Sequence, residues 1–143
     1  MCIRDRFLEG VAPHLLAPPA NVLRVSLHPE GMAPRIVNLG EWRAHLLDRL
    51  GRQAVVSGDR ALFALHEELA GYPGGEIGHV PDLEAGTIAV PLRLRTDDGE
   101  LAFISTATTF GTATDVTVSE LAIESFFPAD DATARALTSR RRR

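Results

Sequence analysis

Five histidines, at positions 14, 28, 45, 66 and 79, have the widest chemical repertoire in this chain. A zinc-binding helix needs two of them at His-x-x-x-His spacing, and a structural zinc site adds cysteine thiolates. Neither pattern occurs, since no two histidines are four apart and Cys2 is the sole cysteine. No metal site is therefore predicted. The one route left open is a site assembled from histidines distant in sequence. His45 and His66 fall on predicted helices, where a surface or boundary position is the ordinary role. His28 lies in "LRVSLHPEGMAPRIVNLGEW", residues 23–42, on a turn directly after a strand-like run. A general base could be presented there, but satisfying the turn's own backbone is the commoner use of such a side chain.

Nucleophilic chemistry finds no better support. There is no Gly-x-Ser-x-Gly elbow. Ser105, Thr106, Thr108 and Thr109 lie in "FISTATTF", where they also suit a strand. Glu67 and Glu68 are adjacent on a predicted helix and point apart, while Asp97 and Asp98 belong to a turn, so neither pair is an acid–base couple. "GYPGGEIG" is glycine-rich but comes after a helix and matches no nucleotide-binding fingerprint. No catalytic residue and no cofactor is predicted.

The elements around these residues are more legible. "FLEGVAPHLLAPPA" is a lead-in of a turn or two, broken at Pro18-Pro19. Alternation over Asn21–Leu27 predicts a strand, "HPEGMAP" a turn in which Gly31 accepts positive φ, and "RIV" a second strand, together a hairpin. Asn38 is placed as an N-cap with Glu41 three residues on, in capping-box spacing. Trp42, Leu46 and Leu50 then form one helix face, and "SGD" stops the helix. Asp59 caps a second helix with Leu62, Leu65 and Leu69 as its buried stripe and Phe63 beside it, ended by "GYPGG". Ile88, Val90, Leu92 and Leu94 alternate with Ala89, Pro91, Arg93 and Arg95 as a half-buried strand, and "TDDGE" turns the chain into "LAFISTATTF". "DVTVSELAIESFF" is a further strand with a phase change near Ser119, and Asp130 or Asp131 caps a last helix through Leu137. Helices set between blocks of strands predict an α+β fold: a PAS-like antiparallel sheet of about five strands with helices packed on one face.

Composition bounds the function. The chain has 143 residues, enough for one domain, with 45% hydrophobic and 24% charged residues. No apolar run approaches a membrane span of ~20 residues. A lone cysteine allows no intrachain disulfide, and the expected compartment is the cytoplasm. The net charge of -4 argues against a dedicated nucleic-acid surface, and the basic residues are all Arg. Residues 1–6, "MCIRDR", share no pattern with the rest of the chain and are taken as a non-native lead; 7–137 form the domain, and 138–143 an Arg-rich disordered tail.

Three stretches carry a family resemblance: "NVLRVSLHPEGMAPRIVNLGEWRAHLLDRL", "GDRALFALHEELAGYP" and "VPLRLRTDDGELAFISTATTFGTATDVTVSELAIESFFPAD". In order, they resemble the MmyB-like transcription regulator ligand-binding domain, the C-terminal half of bacterial Xre-type regulators. The features that match are Asn21 with Leu23-Arg24, then Trp42, the Asp59–Leu62–Leu65–Leu69 spacing and the closing "TFGT…ELAIESFFP". The resemblance implies a PAS-like fold, binding of a small or fatty-acyl molecule, and an N-terminal helix-turn-helix that reads DNA. That helix-turn-helix is not among these residues, so the chain alone is expected to bind no specific DNA.

The leading expectation is a ligand-sensing regulatory domain, not an enzyme. An apolar ligand would enter between the Trp42 helix and the sheet, against Trp42, Leu46, Phe63 and Phe103, with Arg24 or Arg35 meeting an anionic head group. Two alternatives stand beside it. One is a structural dimerisation module with a filled core, working as a homodimer. The other is a small hydrolase-like enzyme using His28 or His45 as base.

Overall fold

The computed structural model describes residues 7–75, 90–109 and 122–139. They fall into two compact units, Met1–Thr87 and Ile88–Arg143. Among the described residues there are five α-helices and one three-stranded antiparallel sheet, an α+β composition.

The first unit is helical. Helix α1, Pro13–Leu16, starts on a proline, whose missing N–H is no loss in a first turn. Helix α2, Val22–Leu27, begins where Asn21 Oδ1 accepts from the N–H groups of Leu23 (3.0 Å) and Arg24 (3.1 Å). A 3-10 turn comes next, at Ala33–Arg35. Helix α3, Leu39–Ser57, and helix α4, Arg60–Ala70, form a helical hairpin around Gly58 and Asp59. Gly58 takes the left-handed conformation at φ 67° that ends a helix without a Cβ clash. Asp59 Oδ1 then accepts from Ala61 N–H at 2.8 Å. Leu27, Ala54 and Leu69 are fully buried, with Trp42, Leu46, Leu50 and Leu65 in the same core.

The expected first hairpin is corrected here, and with it the five-strand sheet. Residues 22–27 are a helix and 33–35 a 3-10 turn. A six-residue apolar run has no strong period, and the Asn21 cap tips it to helix by supplying acceptors for two N–H groups that an isolated first turn leaves orphaned. Burial agrees: Val25, Ser26 and Leu27 are buried in succession, where a strand would alternate. "HPEG" is a turn as expected, with Gly31 N–H donating to His28 O at 2.8 Å. Glycine is needed there for a different reason, since a Cβ at 31 would lie 2.2 Å from the Val25 carbonyl oxygen. Asn38 is the N-cap residue of α3, but its side chain makes no cap hydrogen bond; Asn38 Nδ2 donates to Glu41 Oε2 at 2.9 Å.

In the second unit the sheet runs β1 (Leu92–Thr96), β2 (Gly99–Thr109), β3 (Ala122–Pro128), in that order. Leu92 pairs with Phe103 and Leu94 with Leu101, so four buried side chains share one face while Arg93 and Arg95 point away. Gly99, at φ 124°, closes the tight turn from Thr96. Helix α5, Asp131–Ser139, is capped by Asp130, whose Oδ1 accepts from Thr133 N–H at 2.7 Å. Beyond the end of β3, Ala102 still offers an N–H and a carbonyl. Thr133 Oγ1 accepts the first at 3.0 Å and Ala129 N–H satisfies the second at 2.8 Å, which fastens α5 to β2. Ile88 and the phase change near Ser119 lie outside the described residues.

Candidate functional site

The six candidate ligand residues fall in both units. Within the first, Trp42 is 2% exposed, and its indole Nε1–H donates to Ser26 Oγ at 3.1 Å. The His45 ring, one helical turn from it, lies 5.6 Å away at a tilt of 31°. Leu46 is buried on the same stripe. Phe63, on α4, is 45% exposed, so that much of its ring is offered to solvent rather than to the core. Phe103, in the second unit, is buried on the Leu92–Leu94–Leu101 face of the sheet.

Both arginine candidates already hold partners. Arg24 grips Glu68 with a two-pronged contact, Nε to Oε1 and Nη2 to Oε2, each 2.8 Å. Tyr72 O–H donates to the same Glu68 Oε1 at 2.6 Å. Hydrogen bonds from Arg24 and then Tyr72 hold the Glu68 carboxyl down at about 2. Burial, then the bond to Glu68, pushes the Tyr72 phenol up to about 12. The same pairing raises the Arg24 guanidinium above its ordinary range. Arg35 Nη1 donates to the carbonyls of Phe7 (3.2 Å) and Glu9 (2.9 Å), tying the lead-in segment to the 3-10 turn.

A third arginine matters that the sequence does not single out. Arg43 is 6% exposed and donates through Nη1 to Gly74 O at 2.6 Å and through Nη2 to Tyr72 O. Its buried Nε has no hydrogen-bond partner among the described residues. Arg43 clamps the carbonyls of the "YPG" stretch after α4. No local signal marks it, because its role on α3 depends on the course of the chain thirty residues later. The polar cluster Arg24–Glu68–Tyr72 is hidden likewise: its members lie on α2, on α4 and just past α4, and only the fold brings them together.

His28 closes that cluster. Its ring stands edge-on to Tyr72 at 5.0 Å and to His14 at 5.8 Å, and its Nδ1 accepts from Glu30 N–H at 3.0 Å. The expectation that His28 satisfies its own turn is therefore met.

The family's sequence profile, the MmyB-like transcription regulator ligand-binding domain, matches residues 4–139. The chain belongs to that family. No curated protein and no solved structure matches it. Among the described residues, no helix is long and apolar enough to cross a membrane.

Proposed function

We propose that this chain is the sensing half of an Xre-type transcription regulator, that it binds an apolar or fatty-acyl molecule, and that a helix-turn-helix outside these residues reads DNA. Family membership over residues 4–139 is the observation that carries the reading. The net charge of -4 agrees with it, because a chain that binds DNA by itself draws most of its affinity from cations set against phosphates. The domain acts as a binding module rather than an enzyme, and the bound ligand biases the regulator because it prefers one of two states.

Trp42, Leu46, Phe63 and Phe103 are the proposed apolar contacts. Phe63 is the most accessible of the four, which makes it the first to test. Of the two head-group candidates, Arg24 is the better suited. Its fork already holds a carboxylate, Glu68, and its side chain is 43% exposed, so a ligand carboxylate can compete for the same geometry. Arg35 would have to release two carbonyls.

A thermal-shift series with fatty acids from octanoate to stearate tests this. Ligand binding raises stability by about 2.7 kcal/mol at a hundredfold excess over Kd. The shift should grow with chain length to a maximum, shrink in Phe63→Ala and Arg24→Gln, and persist in Arg60→Gln. A flat response at every length would overturn the ligand reading and leave the dimerisation module.

A further inference from the structure

The chain's histidines have no local ligand spacing, yet the fold gathers two of them with a carboxylate. Donor atoms of His14, His28 and Glu30 all lie within 4.8 Å of one another, and His14 Nε2 stands 4.0 Å from Glu30 Oε2. All three belong to the first unit, and none is among the six ligand-contact candidates. We propose that they form a site for one divalent transition-metal ion, with Zn2+ the best fit.

Three features hold the donors in place. His28 and Glu30 sit on one tight turn, fixed by Gly31 N–H to His28 O at 2.8 Å and by Met32 N–H to Val25 O at 2.8 Å. Ala12 N–H donates to Glu30 O at 2.9 Å, which brings the start of α1, and His14 two residues later, against that turn. The Tyr72 ring, edge-on at 5.0 Å, orients the His28 imidazole.

Two imidazoles and a carboxylate are a borderline donor set, suited to Zn2+ and shared by Ni2+ and Cu2+, rather than the all-oxygen shell of Ca2+ or Mg2+. Three protein donors leave the fourth position of a tetrahedral ion to water. Zn–N bonds of about 2.0–2.1 Å put neighbouring donors roughly 3.3 Å apart, so the triad must contract by on the order of 1 Å. Exposed side chains can do this: those of His14 and Glu30 are 60% and 66% accessible. Ligation also displaces one hydrogen bond. If Nδ1 of His28 takes the ion, its lone pair leaves Glu30 N–H. If Nε2 takes it, the ring proton moves to Nδ1 and opposes the same N–H. In both cases the Glu30 amide loses its acceptor, and the ion instead cross-links α1 to the turn after α2.

The test is calorimetric titration of the full chain, freed of metal and carrying no affinity tag, with ZnCl2. One saturable equivalent is expected. Loss of an outer partner of a metal site already costs about 10–100-fold in affinity, so His14→Ala, His28→Asn and Glu30→Gln should each weaken binding at least about tenfold. Asparagine at 28 keeps a side-chain oxygen for Glu30 N–H, so the turn survives while the imidazole goes. His66→Ala should bind as the parent does, and circular dichroism should show all four variants folded. The Glu30 amide resonance should shift on saturation. Absence of saturable binding, undiminished affinity in His14→Ala and His28→Asn, or equal weakening in His66→Ala would overturn the site. So would a thiolate charge-transfer band on loading with Co2+, which would put the ion on Cys2. None of these outcomes depends on whether fatty acids bind.

Discussion

The indole Nε1–H of Trp42 donates to Ser26 Oγ at 3.1 Å, joining two residues sixteen positions apart on different helices. Both are buried, at 2% and 9% exposure, so water cannot replace either partner. Ser26→Ala leaves the indole N–H unsatisfied and should cost about 1–3 kcal/mol. Trp42→Ala removes the ring as well and should cost about 3–5 kcal/mol. Urea denaturation of both variants checks the order; a Ser26→Ala variant as stable as the parent would mean the indole has another acceptor.

The two asparagines that flank this region differ in role. Asn21 accepts two N–H groups at the start of α2, and Asn21→Ala should cost about 1 kcal/mol. Asn38 makes no side-chain cap bond at the start of α3 and donates to Glu41, so Asn38→Ala should cost less than Asn21→Ala. Matched chemical denaturation curves decide between this ranking and equal losses.

Thr133 is the anchor of the last helix. It is 1% exposed, and its Oγ1 accepts from Ala102 N–H at 3.0 Å. Thr133→Val keeps the shape, leaves the half-buried Ala102 N–H without this acceptor and should cost about 1 kcal/mol. Amide exchange at Ala102 should speed up in the variant, while exchange at Leu46 stays as in the parent.

Acid should weaken the Arg24–Glu68 tie. The folded carboxyl of Glu68 sits at about 2, below its ordinary value of 4.5. A carboxyl depressed on folding stabilises the protein fully above its unfolded value and loses that contribution as pH falls through the folded one. The stability lost between pH 4.5 and 2 should therefore be smaller in Glu68→Gln. Tyr72 works in the opposite window: its phenol, raised from 10.0 to about 12, contributes below pH 10 and is lost as pH climbs to 12. Tyr72→Phe should flatten that alkaline limb. Because the Arg24 and Glu68 side chains are 43% and 38% accessible, salt should shrink the acid effect.

Legibility in the sequence tracks period and capping. The Trp42–Leu46–Leu50 stripe, the Asp59 cap and the Leu92/Leu94 alternation are strong periodic signals, and the structure has all three. Asn21–Leu27 misleads because its alternation is too short to separate strand from helix, and the deciding fact is where one amide oxygen points. Gly31 reads as a turn glycine, but its real requirement is the Val25 carbonyl, a tertiary neighbour. The candidate arginines stand out by charge and phase alone, and nothing local shows that Arg24 meets Glu68 forty-four positions away. Arg43 and the His14–His28–Glu30 triad are invisible for the same reason: they are products of the fold rather than of spacing.

Native mass spectrometry tests the central claim most directly. The untagged chain is measured as purified from cells and again after incubation with a mixture of fatty acids of graded length. The ligand-sensing account predicts one adduct per chain, either retained from the cell or taken up from the mixture, with a preferred chain length and a smaller share in Phe63→Ala. The bare mass of the 143-residue chain in both spectra, at every fatty-acid length, would contradict it.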